Sequence, residues 1–421
     1  MRHFGKGERI TSRDYVCQSL NHKTPDKLPL DLGGTPSSGI SAIGYNKLKH
    51  ALGIDDRSNK IYDVVQQVSQ PEENVLDALE VDVVCLGRAF NTAEENWYDI
   101  TLADGSIAQY PTWFRPIKEK NGEYSVYDED NELLARMPVG ATFFDQTFFP
   151  YIDGYPVSYK DLPKAMAKVH WQKLAHSPWD NAAMPDFWGE LRRRAIKLRE
   201  NSDRAILITC GCNLFEWGTF LRRIDNFLMD IYSEPGEVER LLDALMEIHL
   251  ASLEQVCLAV GDVVDILRFG DDLGMSNGMF FSQEKYRDLF KPRHAKLCAY
   301  VHEHSSMKTF LHSCGSIYPI MGDLIEAGYD IINPVQTSAA QMDPAVLKKE
   351  FGKDIVFWGG GVNTQSILNR AKPDEVYTYA RRVIDIFLND GGFVFNTEHN
   401  ILPDVPEENM MALYRAVKEY K

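Results

Sequence analysis

Eight short apolar runs, each ending on glycine, an acid, an amide or a polar cluster, recur along this chain and limit what it can fold into. They are LPLDLGG (28–34), VDVVCLG (81–87), AILITCG (205–211), VVDILRFGDD (263–272), KTFLHSCG (308–315), DIINPVQ (330–336), DIVFWGGG (354–361) and GFVFNTEHN (392–400). Runs that are apolar along their whole length suit strands buried on both faces, as in a parallel sheet. Helical patterns are expected between them, over 39–52, 72–80, 218–232, 235–259, 282–304, 316–327, 343–351, 363–369 and 373–389. Eight buried strands alternating with helices predict an α/β fold of the (β/α)8 TIM-barrel type, covering 1–421 as one domain. An open doubly wound sheet is the alternative, but it usually has fewer strands.

One region breaks the rhythm. Within residues 95–160, WYDITLADGSIAQYPTWFRP and GEYSVYDEDNELLARMP alternate polar and apolar residues around ADG and DED turns. That is a hairpin signature, and it predicts an antiparallel β insertion in the N-terminal half of the barrel. HWQKLAHSPWDN (170–181) then leads into a helix rich in Arg and Lys.

Charge and cysteine usage narrow the function. A formal net charge of −16 argues against nucleic-acid binding, since no basic stripe offsets it. No apolar run approaches the ~18 residues that span a bilayer, and MRHFGKGERITSRDYVCQSL lacks the apolar core of a secretory signal. Seven scattered cysteines do not read as a disulfide framework, so a reducing cytoplasm is the expected compartment.

Barrels of this type build their sites at the C-terminal ends of the strands. Polar residues cluster there: Gly33 and Gly34, Arg88, Cys210 and Cys212, Asp271 and Asp272, His312 and Cys314, Gln336, and His399. His312 and Cys314 stand at i and i+2, so both project to one side of a strand and can share a Zn(II) ion. An isolated pair of this kind also reads as a buried His and Cys that end a core strand. Barrel closure brings His399, at the end of the last run, towards them. His312, Cys314 and His399 then make three protein ligands with an open fourth position, the pattern of catalytic zinc. Gln336 is the nearest candidate to fill or flank that position, and Glu398 faces the other way.

Other features keep two readings. Asp271 and Asp272 could bind a cation or a substrate amine, or serve as a general acid; they could equally cap a helix or form a turn. Cys210 and Cys212 read as structural thiols, with a second ligand pair or a redox pair as the alternative. The Gly359–Gly361 run could cradle a phosphate or be a tight turn. His302 and His304 fall on a helix surface.

FGDDLGMSNGMFFSQEKYRDLFKPRHAKL, FLHSCGSIYPIMGDLIEAGYDIINPVQ, FWGGGVNTQSIL and HNILPDVPEENMMALYRAVKEY resemble the uroporphyrinogen decarboxylase superfamily, and within it the corrinoid-dependent zinc methyltransferase branch. KTPDKLPLDLGG and LFEWGTFLRRIDNFLMDIY look like the family less specifically. The resemblance implies a (β/α)8 barrel. It implies a Zn(II) site in which His312 and Cys314 match the family's H-x-C pair. Aligning LPDVP (402–406) with the family's P-P-D-x-P-like segment places His399 where a cysteine usually stands. One thiolate and two imidazoles would leave the ion at about +1, a stronger Lewis acid than two thiolates allow.

Gln336 falls where some relatives carry a Glu near the metal. The implied activity is methyl transfer between a small methylated substrate, a methoxyl or N-methyl compound, and a corrinoid cofactor on a partner protein. A homodimer is compatible with this reading. The segment that carries substrate-gripping arginines in the decarboxylase reads LPLDLGGTPSSGISAIG here and has none, which argues against porphyrinogen decarboxylation. The alternative enzyme is a metal-free decarboxylase with Asp271 or Asp272 as the acid. A corrinoid carrier ranks last, since the D-x-H-x-x-G cobalt-ligating pattern is absent.

Overall fold

The computed structural model describes residues 10–420; the first nine residues, on which part of the N-terminal reading rests, lie outside the described residues. Seven strands form one sheet: β1 (Val83–Cys85), β2 (Ala205–Gly211), β3 (Ile266–Gly270), β4 (Lys308–His312), β5 (Ile331–Asn333), β6 (Val356–Trp358) and β7 (Phe393–Val394). They pair in chain order and every pairing is parallel. The LPLDLGG segment holds the eighth position through one parallel bridge, Leu30 to Phe395. There the Phe395 amide donates to the Pro29 carbonyl, the Asp31 amide to Phe395 and the Asp82 amide to Leu30, so the segment joins β7 to β1. This strand is shorter than its apolar run predicts because Gly33, at φ +83°, turns the chain away. The fold is a TIM-type α/β barrel.

Alternate residues of each strand face inwards. Leu207, Ile266, Phe310, Ile331, Val356 and Val394 pack together in the lumen, each contributing about 1.5–3 kcal/mol by leaving water. Helix α1 (Ser12–Leu20) adds Val16 and Leu20 to this cluster and closes the N-terminal end. It starts at a reciprocal cap, in which Thr11 Oγ1 accepts from the Asp14 amide and the Asp14 carboxylate accepts from the Thr11 amide. The opposite parity, including Leu267, Phe269 and Leu311, packs against the surrounding helices.

Two helical expectations need correction. The 218–232 helix is two helices, α2 (Phe215–Arg222) and α3 (Ile224–Ser233), broken at Arg223 with φ +67°. Residues 363–369 form turns, because the Asn363 side chain accepts from the Gln365 and Ser366 amides and so competes with a helical ladder. The antiparallel insertion is present. Trp97–Thr101 pairs with Ile107–Pro111, and Ile117–Lys118, Tyr124–Tyr127, Leu133–Met137 and Asp145–Gln146 form a four-stranded sheet. Its strands end at Gln146, short of the expected 160. Among the described residues no helix is long and apolar enough to cross a membrane.

Candidate metal centre

In β4 the inward parity runs through Phe310 and His312 and continues to Cys314 just past the strand. His399 enters from the loop after β7. The donor atoms of His312, Cys314 and His399 all lie within 4.8 Å of one another. Cys314 Sγ is 3.4 Å from His312 Nε2, and the two imidazole rings meet edge to face with centroids 5.8 Å apart. The structure thus brings together the three residues singled out as ligands.

Neighbouring amides orient both rings. Asn333, the cross-strand partner of His312, receives its Nδ1–H at 2.6 Å and donates its own amide nitrogen to the Trp358 carbonyl at 2.8 Å. That second bond fixes which end of the amide is oxygen, so Nδ1 of His312 is the donor and Nε2 keeps its lone pair. Asn400 Oδ1 lies 2.9 Å from His399 Nδ1, where it can accept from the second ring. Burial, together with Arg268 and His399, holds His312 well below the ordinary imidazole value, which keeps it neutral. Burial, with Asp272 and Glu216, pushes the Cys314 thiol well up, so the thiol keeps its proton until a cation displaces it. Two neutral imidazoles with inward lone pairs and one thiol fit a Zn(II)-type ion with an open coordination position.

The acidic doublet divides between two faces. Asp271 is fully buried and points away from the lumen, where it accepts from the Phe215 and Glu216 amides at the start of α2 and sits 3.2 Å from His294 Nε2. Asp272 points inwards, accepts from the Cys314 amide at 2.8 Å and lies 3.8 Å from His312 Nε2. Burial raises its carboxyl above the ordinary value, against the pull of the Cys314 amide, His399 and Arg268. Gln336 accepts from the Gly315 amide at 2.8 Å, so it flanks the donors and braces the turn that carries Cys314.

Above the donors lies a cavity of about 570 Å³, lined among others by His312, His399, Asp272, Glu216, Arg268 and Thr209. Trp171, Phe220 and Trp217 form one wall, with ring centroids 6.1 and 5.7 Å apart in succession. The sequence reading missed Glu216, Arg268, Thr209 and this wall. A signal for Arg268 exists: it is the one basic residue in VDILRFG (264–270) and shares the parity of Asp272. Burial and the nearby Asp272 and Asp271 raise the Glu216 carboxyl well above its ordinary value; Glu216 accepts from Asn213 and from the Asp272 amide.

The remaining candidates are not in the donor cluster, although Cys210 and Cys212 line the same cavity. Cys210 and Cys212 are outside the donor cluster, and burial pushes Cys212 up to about 12, the behaviour of a structural thiol. Gly359 has φ +102°, and a side chain there would strike Asn396 Oδ1 at 2.4 Å, so this glycine serves close packing. Arg88 pairs with Glu73 at 2.7 Å. Glu398 faces outwards and accepts from the Ser338 amide at 2.9 Å. His302 pairs with Asp330 on the surface, and His304 is exposed.

Comparison with known proteins agrees with this architecture. The family model described as uroporphyrinogen decarboxylase (URO-D) matches residues 209–420, just over half of the 421-residue chain. A uroporphyrinogen decarboxylase from Magnetococcus marinus is 31% identical over 97 residues, 23% of this chain and 25% of that protein, so the match spans a quarter of the relative's length. A methyltransferase from Methanosarcina mazei has the same fold, with a TM-score of 0.58 at 15% identity over 98% of this chain and 99% of its own. By its matched half and its barrel, this chain belongs to the uroporphyrinogen decarboxylase family.

Proposed function

We propose that the protein is a cytoplasmic zinc-dependent methyltransferase, working as one barrel domain. It moves a methyl group between a small methoxyl or N-methyl compound and a corrinoid carried by a partner protein. One observation carries the reading: the donor atoms of His312, Cys314 and His399 cluster, and the two histidines line a cavity large enough for a single-ring molecule. Methyl transfer is a chemistry this scaffold carries in the Methanosarcina mazei protein.

When bound by these residues, zinc supplies Lewis acidity that polarises an ether or amine, or lowers the pKa of an acceptor thiol. The chain's own residues do the rest. Asn333 and Asn400 hold the two imidazoles with Nε2 turned inwards. Asp272, 3.8 Å from His312 Nε2 and with its carboxyl raised by burial, is placed to pass a proton to the oxygen or nitrogen left after methyl departure. Glu216 fixes the backbone of Asp272, and Gln336 fixes the turn at Gly315. The wall of Trp171, Phe220 and Trp217 packs the apolar part of a substrate and excludes water.

Metal analysis after zinc-replete expression, with a methyl-transfer assay to free cob(I)alamin over methoxylated and N-methylated compounds, tests the reading. One zinc per chain and loss of cob(I)alamin are expected; a metal-free wild type would sink it. The second reading, a metal-free decarboxylase, draws on the juxtaposition of a cationic Arg268 with the acid Asp272 in one cavity. It requires decarboxylation that survives chelators.

A further inference from the structure

We infer that Arg268 and Thr209 form an anion-binding floor in the cavity, and that the molecule taken there is a small methylated carboxylic acid. The two residues are cross-strand partners on β2 and β3, and both line the cavity. Thr209 is 8% exposed, and its Oγ1 finds no hydrogen-bond partner among the described residues. The same holds for Nε of Arg268 on the neighbouring strand. Buried donors without partners are rare and costly; these two atoms are shielded from water, and the side chains that carry them line one cavity and can turn towards a ligand acceptor there.

The carboxylates that could have quenched the guanidinium are otherwise engaged. Glu216 accepts from Asn213 and the Asp272 amide, and Asp272 accepts from the Cys314 amide. Asp63, also on the cavity wall, accepts from the Val65 and Gln66 amides. Arginine keeps its charge in proteins, so a cation faces the cavity.

The ligand's charge follows from these groups. A guanidinium edge and one hydroxyl offer a planar arrangement of donors that matches a carboxylate. The carboxylate of Asp63 on the cavity wall disfavours a dianion such as phosphate. The guanidinium itself disfavours a methylated ammonium ion that lacks an acid group. With the acid group held by Arg268 and Thr209, the rest of a single-ring molecule lies between the aromatic wall and His312, His399 and Asp272.

The methyl group in this inference rests on the methyl-transfer reading; the anion floor does not. Binding of 3-methoxybenzoate and of its uncharged analogue 3-methoxybenzamide to the zinc-loaded protein separates the two, read by calorimetry and by fluorescence of the cavity tryptophans. The benzoate is expected to bind wild type more tightly than the amide. Arg268→Gln should weaken benzoate about 10- to 100-fold and leave the amide within about twofold. Arg268→Lys should keep part of the affinity, and Thr209→Val should lose less than Arg268→Gln. Thermal melts of all variants guard against misfolding.

Equal binding of the two probes, or none, overturns the inference. So does a preference for benzoate that persists in Arg268→Gln and vanishes in His312→Ala, since the anion would then sit on the metal. A preference lost in Arg268→Gln and kept in His312→Ala supports the floor even if no methyl transfer to cob(I)alamin is found; only the methyl-transfer reading would then fall.

Discussion

His312 donates its Nδ1–H to Asn333 Oδ1 over 2.6 Å, and the two residues are direct cross-strand partners on β4 and β5. The bond fixes the imidazole tautomer from behind, so Asn333 would act on the proposed metal without touching it. Asn333→Ala should weaken zinc binding about 10- to 100-fold, measured by competition with a chromophoric chelator. Asn333→Asp, which keeps an acceptor in place, should hold zinc at least as well as wild type. Unchanged affinity in Asn333→Ala would show that the tautomer does not matter.

Removal of any one donor is a direct test of the site. His312→Ala, Cys314→Ala and His399→Ala should each purify with little zinc, whereas wild type carries one ion per chain. His399→Cys replaces one competent ligand with another and should retain the ion. Elemental analysis of the four variants, grown in the same medium, reads the outcome.

The doublet Asp271 and Asp272 should separate stability from chemistry. Asp271→Ala strips two backbone amides at the start of α2, and His294, of a buried acceptor. Its unfolding free energy in urea should drop by about 2–4 kcal/mol. Asp272→Asn keeps an acceptor for the Cys314 amide, so its stability should change by less than about 1 kcal/mol while turnover falls. A stable Asp271→Ala would contradict its assignment as a brace.

Acid should destabilise the fold through buried histidines. His249 donates its Nε2–H to the Asn213 carbonyl at 2.9 Å, and burial lowers it to about 4, against that bond and Asp271. An unfolded-state histidine titrates near ~6.5. Between these values the unfolded chain binds a proton that the folded chain refuses, so stability falls as pH drops from ~6.5 to ~4. The total is on the order of 3 kcal/mol. His170, lowered by burial to about 3, adds to the same trend. Urea midpoints at pH 7.5 and pH 5 should differ in wild type and differ less in His249→Gln; parallel behaviour of the two proteins would exclude His249 as a source.

The barrel was legible because its strands are buried on both faces and so appear as unbroken apolar runs, from VDVVCLG to GFVFNTEHN. Leu30 was harder, since a strand reduced to one bridge is set by the turn at Gly33 and by its two neighbours. Spacing put His312 and Cys314 on one side of a strand, but only His399 at the closing strand made them a candidate ligand set. Asp271 and Asp272 were read as a unit, although adjacent strand residues must face opposite sides, and period two already assigned only one of them to the lumen. The same parity rule could have found Arg268. Glu216 could not be found this way, because it reaches the site through a helix whose placement depends on Asp271 rather than on local pattern. Gln336 and its bond to Gly315 join two loops, and no rule of spacing reports on that.

Helix α1 stoppers the N-terminal end of the lumen with Val16 and Leu20, so among the described residues a molecule beside His312 has no exit through that end. A carrier protein seated over the other end shuts in whatever small molecule is inside, and a small molecule still inside stands between the carrier and the donors. On the proposed reading, traffic of this kind runs by turns: the first visitor departs before the second is admitted, an order to which the N-terminal helix contributes by closing the far end of the barrel.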